Sequence, residues 1–226
     1  MILTVFGSCR QDSLYNTYPV TSIRGDLTYP HYSKEIVQAI EFCRGVSNIL
    51  PEATQYVFRT GILERRSINP SQFYNDFNST DVFVIEIASR ISYMYRGLYV
   101  HHILTELQYG FPDIANIVQR DLTDEEIEED ILKMRELLHP KKMMIVSHIY
   151  TRTTGKRYEL VKLLHSICLK HNIPFFDPIV QLCDSDPEKL YVKESLLSHY
   201  TPYGHSQIGK RYVDFINNLD AQRVYD

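Results

Sequence analysis

Residues 81–88, with the sequence DVFVIEIA, decide the fold class of this chain of 226 residues. Four consecutive apolar residues at 82–85 are typical of a parallel strand that helices cover on both faces. Two further runs, ILTVF at 2–6 and MMIVS at 143–147, have the same apolar and β-rich character. Helical periodicity lies between these runs. The alternation predicts an α/β sandwich of three layers, in which a mostly parallel sheet of about five strands is flanked by helices.

Local patterns predict the other elements. Two further strands complete the predicted sheet: the run YVF within residues 56–63, and a short strand at 174–178. The predicted helices span 33–44, 123–139, 156–170 and 206–219. Thr123 and Glu126 form a capping box at the start of the second of these helices. Residues 91–122 are rich in Tyr and His, and we interpret them as an insertion or lid within a single domain that spans residues 1–226.

Composition excludes several classes of protein. The formal net charge of −4 argues against a nucleic-acid partner, which requires a basic surface. No run of 18 apolar residues is present, so no membrane-spanning helix is expected. The N-terminus has no basic residues before its apolar stretch, which argues against a secretory signal and predicts a cytoplasmic protein. The spacing of the 4 cysteines excludes a CxxC motif and a disulfide framework.

Polar side chains follow the predicted strands. Ligands of parallel sheets bind at the carboxyl ends of the strands, so these positions define the candidate site. They are Gly7-Ser8-Cys9-Arg10, residues 59–61, residues 86–90, His148 and Asp177.

The turn at Gly7 brings a nucleophile to the sheet edge. Glycine allows a sharp turn, and the residues after it can present a side chain to a base and N–H groups to an oxyanion. A thiol has a pKa near 8.5 that falls readily beside a cation, and Arg10 is adjacent to Cys9. Cys9 is therefore the first candidate and Ser8 is its rival. A plain β-turn with a buried cysteine is the alternative interpretation.

The second motif lies before the last helix. Residues 199–205 read HYTPYGH, where Thr-Pro and Gly indicate a loop whose first residue, His199, can reach back over the sheet edge.

Together the two motifs resemble the SGNH (GDSL-type) esterase and acyltransferase superfamily. In that family the first strand ends in Gly-Asp-Ser, and the catalytic His lies in a run like Asp-x-x-His-Leu-Thr-Pro-x-Gly-His. The resemblance implies Cys9 as nucleophile and His199 as base. The chain looks more like branches of the family with Gly-Ser-Cys at this position, including branches linked to polysaccharide biosynthesis. Ser8 remains open as the nucleophile.

The chain departs from the family at the acid of the triad. Leu196 stands where the family has Asp. We expect Asp177 to take the place of this acid, and Glu194 is a weaker candidate. A Cys–His pair without an acid is also open, because such a pair can rest as thiolate and imidazolium.

The oxyanion donors also depart from the family. Gly61 is matched to the Gly of the second block, so the N–H groups of Cys9 and Gly61 are the expected donors. The Gly-x-Asn-Asp block has no counterpart in residues 86–89, and Ser89 or Arg90 is expected to serve instead.

Basic side chains suggest anion contacts. His31 precedes a helix N-terminus and Arg24 is near it in sequence, although a simple loop histidine is the preferred interpretation of His31. His148 is followed by Arg152, Lys156 and Arg157, which can hold a carboxylate, sulfate or phosphate. A solvated helix start is the alternative for this cluster.

No metal site is expected, because the adjacent pair His101-His102 lacks metal-ligand spacing. Tyr93, Tyr95, Tyr99 and Tyr109 suit either a sugar ligand or the interface of a homo-oligomer.

The sequence thus predicts an esterase or O-acyltransferase that acts on an acylated or acyl-accepting glycan or a related small molecule. No cofactor is required, and acyl-CoA is a candidate acyl donor through the resemblance. One alternative is a non-catalytic glycan- or anion-binding protein on the same fold. Another is a thioesterase or peptidase-like Cys hydrolase.

Overall fold

The computed structural model describes residues 1–27, 29–150, 152–193 and 199–219. Its strands are β1 (Leu3–Phe6), β2 (Val82–Ile87), β3 (Ile91–Tyr95), β4 (Leu98–Tyr99), β5 (Val118–Asp121), β6 (Lys142–Ser147) and β7 (Phe175–Phe176). Its α-helices are α1 (Ile23–Asp26), α2 (Ser33–Cys43), α3 (Thr54–Val57), α4 (Arg59–Glu64), α5 (Tyr74–Ser79), α6 (Asp124–Leu138), α7 (Lys156–His171), α8 (Pro178–Gln181), α9 (Pro187–Leu190) and α10 (Pro202–Asn217). Short 3-10 helices cover Cys9–Asn16, Pro51–Ala53, Pro70–Phe73, His102–Thr105, Leu107–Tyr109 and Ile114–Asn116.

A parallel sheet of four strands, in the order β1-β2-β6-β7, forms the centre of the fold. Leu3 pairs with Val82, Val82 pairs with Lys142, and Ile145 pairs with Phe175. All six residues of β2 are buried, as its continuous apolar run predicts. The predicted fold class, a mostly parallel sheet flanked by helices, is confirmed.

Alternate residues of the central strands face two separate cores. Phe83, Ile85 and Ile87 face the core that contains residues of α2, α6 and α7. Val82 and Val84 face the other core, to which α10 contributes. This alternation follows from the two-residue period of a strand and produces the three layers.

The predicted strand at 56–63 is wrong. This segment forms α3 and α4. Val57, at the end of α3, and Phe58, between the two helices, are buried in the core. A Cβ on Gly61 would lie 2.1 Å from the Thr54 carbonyl oxygen, so glycine allows these two helices to pack closely. The place beside β1 holds a single parallel bridge between Leu3 and Val20 instead.

The helix signals locate the starts of most helices. At α6 the capping box is complete: Glu126 N–H donates to Thr123 Oγ1 at 3.2 Å, and Thr123 N–H donates to Glu126 Oε2 at 3.0 Å. Helix α10 begins at Pro202, four residues before the predicted start, because the Thr201 side chain caps it by accepting from Gly204 N–H. In the described residues, no helix is both long and apolar enough to cross a lipid bilayer.

The Tyr-rich segment forms a small antiparallel sheet in the order β4-β3-β5. The buried Tyr32 next to α2 fastens it, because its hydroxyl lies 2.9 Å from the Tyr93 carbonyl and 2.8 Å from the Val100 carbonyl. The small sheet begins directly after the carboxyl end of β2 and so lies beside the candidate site.

Candidate active site

The turn after β1 presents two candidate nucleophiles in different states. Ser8 is 7% exposed, and its hydroxyl caps the 3-10 helix Cys9–Asn16. Ser8 Oγ accepts from the Arg10 N–H at 3.4 Å and from Arg10 Nη1 at 3.1 Å. Cys9 is the first residue of that helix, and its side chain is only partly buried. Ser8 therefore holds the turn together, while the Cys9 side chain remains partly exposed.

The backbone N–H of Cys9 is available at the same place. In the described part of the chain it donates to no other residue. An N–H at the first position of a helix has no intrahelical acceptor, so it can donate to an oxyanion formed beside the thiol.

A buried carboxylate anchors the turn from the neighbouring strand. Glu86 Oε2 accepts from the Ser8 N–H at 2.7 Å, and Glu86 Oε1 lies 3.5 Å from His148 Nδ1. Burial raises the pKa of Glu86, and the hydrogen bonds from Ser8 oppose that shift. Sequence reasoning did not assign Glu86 a role. The available signal was a single acid inside the otherwise apolar run DVFVIEIA.

His148 lies at the carboxyl end of β6 as predicted, and it is 6% exposed. Burial holds the pKa of His148 well below its ordinary value, and the positive charges of Arg10 and Arg157 act in the same direction. His148 is therefore a neutral imidazole whose ring faces the Glu86 carboxylate.

The loop before α10 brings His199 to this edge. The His199 carbonyl accepts from Val192 N–H at 2.9 Å, and Tyr191 and Tyr200 form an antiparallel bridge. A Cβ on Gly204 would lie 2.2 Å from the Leu190 carbonyl oxygen, so glycine lets α10 start against α9. The motif HYTPYGH thus has a structural role that holds His199 in place.

The charge of Arg10 acts on candidate catalytic groups from both ends of the chain. This positive charge acts on both the Cys9 thiol and the His199 imidazole. Burial raises the pKa of Cys9, and Arg10 only partly offsets this effect. Burial and Arg10 both lower the pKa of His199. The pair rests as thiol and neutral imidazole rather than as thiolate and imidazolium, in contrast to the ion pair considered from the sequence.

Asp177 lies at the end of β7, as predicted, but its oxygens serve other groups. Oδ1 accepts from Ile179 N–H at 2.9 Å and caps α8, and Oδ2 accepts from the Tyr150 hydroxyl at 3.2 Å. The charges that shift the pKa of His199 are those of Arg10 and His205. These hydrogen bonds give Asp177 a structural role at the start of α8. Glu194 and Leu196 lie outside the described residues.

The other expected oxyanion donors are engaged in structural contacts. Gly61 lies inside α4, packed on Thr54, and does not follow a strand. Ser89 Oγ accepts from Ile91 N–H at 3.0 Å. Arg90 donates to the Leu122 carbonyl and to Asp124.

A cavity of about 320 Å³, here called the edge cavity, opens between the ends of β2 and β6 and the start of α7. It is lined by His31, Ala88, Ser89, Arg90, Ile91, Tyr93, His102, His148, Lys156, Arg157 and Leu160. The structure therefore brings the predicted residues His31, Ser89, His148 and Arg157 together. The side chain of Arg24 lies outside the described part of the structure.

Three histidines, His31, His101 and His102, have ring nitrogens within 4.8 Å of one another. His101 Nδ1 accepts from Ile103 N–H at 3.2 Å, and Nε2 lies 2.9 Å from the Tyr29 carbonyl. Both nitrogens of His101 are thus engaged, which leaves two histidines for an ion. Burial lowers the pKa of His31 to about 3, and the ring centroids of His31 and His102 lie 4.2 Å apart with the ring planes tilted by 57°. This cluster is better explained by ring packing than by metal ligation.

Solved structures with a similar chain course include two esterases. A lipase/acylhydrolase from Enterococcus faecalis is 15% identical with a TM-score of 0.46, and the match covers 96% of each chain. An acetylxylan esterase from Geobacillus stearothermophilus is 12% identical with a TM-score of 0.41, and it covers 94% of this chain and 92% of that one.

A sequence relative is the Vi polysaccharide biosynthesis protein TviD of Salmonella typhi. It is 23% identical over 273 aligned positions, which cover 96% of this chain and 32% of the relative. The chain thus spans about a third of the length of that protein. Residues 1–114 match the family described as the TviD N-terminal domain. Because this match covers half of the chain, the chain belongs to the TviD N-terminal domain family.

Proposed function

We propose that the protein is an ester hydrolase or O-acyltransferase that forms an acyl intermediate on Cys9 with His199 as the base. One observation carries the proposal: the charge of Arg10 acts on both the Cys9 thiol and the His199 imidazole, although 190 positions separate Cys9 from His199 in the numbering. This supports the proposal that a nucleophile and a base from opposite ends of the chain act at one edge of the sheet.

The reaction follows from the protonation states. Neutral His199 takes the proton of Cys9 Sγ as the sulfur attacks the ester carbonyl carbon. The carbonyl oxygen becomes an oxyanion that the Cys9 N–H can stabilise. The intermediate collapses to a thioester, and His199 returns the proton to the leaving alcohol. Water or an acceptor hydroxyl then gives a proton to His199 and attacks the thioester carbon. The carbon–sulfur bond breaks, the acyl group leaves on the new oxygen, and His199 returns the proton to Cys9 Sγ.

Cys9 is preferred to Ser8 because of their surroundings. Ser8 is buried and its hydroxyl accepts two hydrogen bonds from Arg10 as a helix cap. A serine hydroxyl would also need more help from the His199 base than a thiol does. A thiol, whose pKa is several units lower than that of a hydroxyl, needs less assistance.

The proposed substrate is an acylated or acyl-accepting glycan, with acyl-CoA as a candidate donor. The relative named as a polysaccharide biosynthesis protein supports this class. Tyr93 on the wall of the edge cavity also suits a sugar, because its ring offers an apolar face and a hydroxyl.

The test is to trap the acyl enzyme with p-nitrophenyl acetate and to locate the added acetyl group by mass spectrometry. We expect it on Cys9, in a thioester that neutral hydroxylamine cleaves. Cys9→Ala removes the label, and His199→Ala slows acylation by about 10²–10⁴-fold, the range for loss of a general base. Cys183→Ala, which removes an exposed free cysteine, is the matched control and leaves the rate unchanged.

Two outcomes contradict the proposal. An unchanged acylation rate in both Cys9→Ala and His199→Ala contradicts the proposed mechanism. A label on Ser8 that resists neutral hydroxylamine assigns the reaction to the serine. Labelling by iodoacetamide at neutral pH is a weaker test, because burial raises the pKa of Cys9 and slows alkylation in an enzyme and a non-enzyme alike.

A second candidate is a non-catalytic glycan- or anion-binding protein. The raised pKa of Cys9 favours it, since that thiol is not activated at rest. It predicts ligand binding in the edge cavity with no acyl-enzyme formation from activated esters.

A further inference from the structure

The edge cavity has positive charge in its wall, and its lining residue His148 approaches Glu86, which binds the N–H of the residue before Cys9. Arg10, at the Cys9 turn, lowers the pKa of both His148 and Arg157, so the guanidinium groups of Arg10 and Arg157 act on the same region. Arg157 Nη1 donates to the Ile149 carbonyl at 3.3 Å and forms no ion pair in the described part of the chain. Its neighbour Lys156, by contrast, is paired with Asp121 at 2.7 Å.

The start of α7 contributes to the same wall. This helix of 16 residues has Gly155 at its N-cap, and no side chain caps it. Its first N–H groups carry the positive end of the helix dipole, and cations in a first turn are unfavourable. Lys156 and Arg157 nevertheless stand there, and both line the cavity. An anion bound at this point would relieve their repulsion with the helix.

A buried polar group in the wall provides an independent sign of a ligand. His148 is 6% exposed and lines the cavity, yet Nδ1 has no hydrogen-bond partner and only approaches Glu86 Oε1 at 3.5 Å. In the described residues neither ring nitrogen of His148 forms a hydrogen bond. A buried imidazole without partners is costly unless a ligand or water satisfies it.

We infer that the edge cavity binds an oxyanion group, a carboxylate, sulfate or phosphate, with Arg157 as its main charged contact and the N-terminus of α7 and His148 as further donors. This inference extends the proposed function: the anion is a group of the substrate and is held beside Cys9. The cavity volume of about 320 Å³ suits a ligand of sugar size.

The test measures binding by isothermal titration calorimetry in the Cys9→Ala background, so its outcome is independent of catalysis. The probes are inorganic phosphate, sulfate and glucuronate, and glucose is the neutral control. We expect at least one anion to bind, with affinity that falls as chloride is added because salt screens the charges. Arg157→Gln removes the charge and should weaken binding about tenfold or more, equal to about 1.4 kcal/mol.

Arg152→Gln is the matched control, since it removes an exposed cation of the same loop that does not line the cavity. It should change affinity less than about twofold. Ala88→Leu fills the cavity without changing charge and should abolish binding.

Preference for glucuronate identifies a carboxylate source, and preference for phosphate or sulfate identifies a tetrahedral one. The inference is overturned if no anion binds at about 10 mM, where a millimolar site would be mostly occupied. It is also overturned if Arg157→Gln and Arg152→Gln weaken binding equally, or if Ala88→Leu leaves binding unchanged.

Discussion

The Glu86 carboxylate, buried inside β2, accepts the backbone N–H of Ser8 at 2.7 Å and so joins the first strand turn to the second strand. Ser8 in turn precedes Cys9, so the position of the proposed nucleophile depends on a carboxylate from another strand. Buried N–H groups that lose their acceptor are costly, which makes this bond a point where stability and activity meet.

The first prediction concerns this bond. Glu86→Ala leaves the Ser8 N–H buried without an acceptor and should lower the free energy of unfolding by about 1–3 kcal/mol, with a parallel loss of acylation rate. Glu86→Gln keeps an acceptor oxygen and should lose less of both. Urea unfolding and acylation kinetics measure the two effects. Glu129→Ala, an exposed acid of α6, is the control, and an equal loss in that variant would contradict the assignment.

The second prediction concerns Arg10. Burial lowers the pKa of His199, and the charge of Arg10 lowers it further. Burial raises the pKa of Cys9, and the charge of Arg10 opposes that rise. Arg10→Gln should therefore raise both pKa values. The acid limb of the kcat/KM profile, which reports the base in the free enzyme, should move to higher pH, and alkylation of Cys9 should need a more alkaline solution. Profiles that match those of Arg44→Gln, an exposed charge at the end of α2, would count against this role of Arg10.

The third prediction concerns Gly204. Gly204→Ala places a Cβ 2.2 Å from the Leu190 carbonyl oxygen, so α9 and the start of α10 must separate. Overpacking of this kind costs about 1–3 kcal/mol, and it should also displace the loop that carries His199. The midpoint temperature of thermal unfolding and the acylation rate should both fall. Gly25→Ala, where an added Cβ meets nothing within 4 Å, should be tolerated. Equal effects of the two variants would refute the packing argument.

The fourth prediction concerns Glu35 at the start of α2. Burial raises the pKa of Glu35 from 4.5 to about 8, although the N–H groups of His31 and Tyr32 donate to it. The folded chain keeps this proton up to about pH 8, whereas the unfolded chain loses it near 4.5. The contribution of Glu35 to stability is therefore complete below 4.5 and is lost as the pH rises through 8.

Glu35→Gln removes this titration. The stability of the natural chain relative to the variant should fall steadily as the pH rises from about 5 to about 8 in urea unfolding. Glu52→Gln, an exposed acid, is the control. A difference that stays constant with pH would show that Glu35 does not titrate in this range.

The strands and caps could be predicted because their signals are local. The apolar runs of β1, β2 and β6 and the capping box at Thr123 each depend on neighbouring residues. The predicted strand at 56–63 failed because YVF, three apolar residues, suits a strand or a buried helix equally well. The close approach of Gly61 to Thr54 decided for a helix pair, and it depends on the fold around them.

The sequence by itself determined the fold class and which residues stand at the carboxyl ends of the strands, because both follow from the order and period of apolar residues along the chain. Only the tertiary structure decided what those residues do. It placed Asp177 at the cap of α8, and it brought Glu86 under the Cys9 turn. It also left Cys9 protonated and His199 neutral, because desolvation depends on the packing of distant segments that no local pattern records.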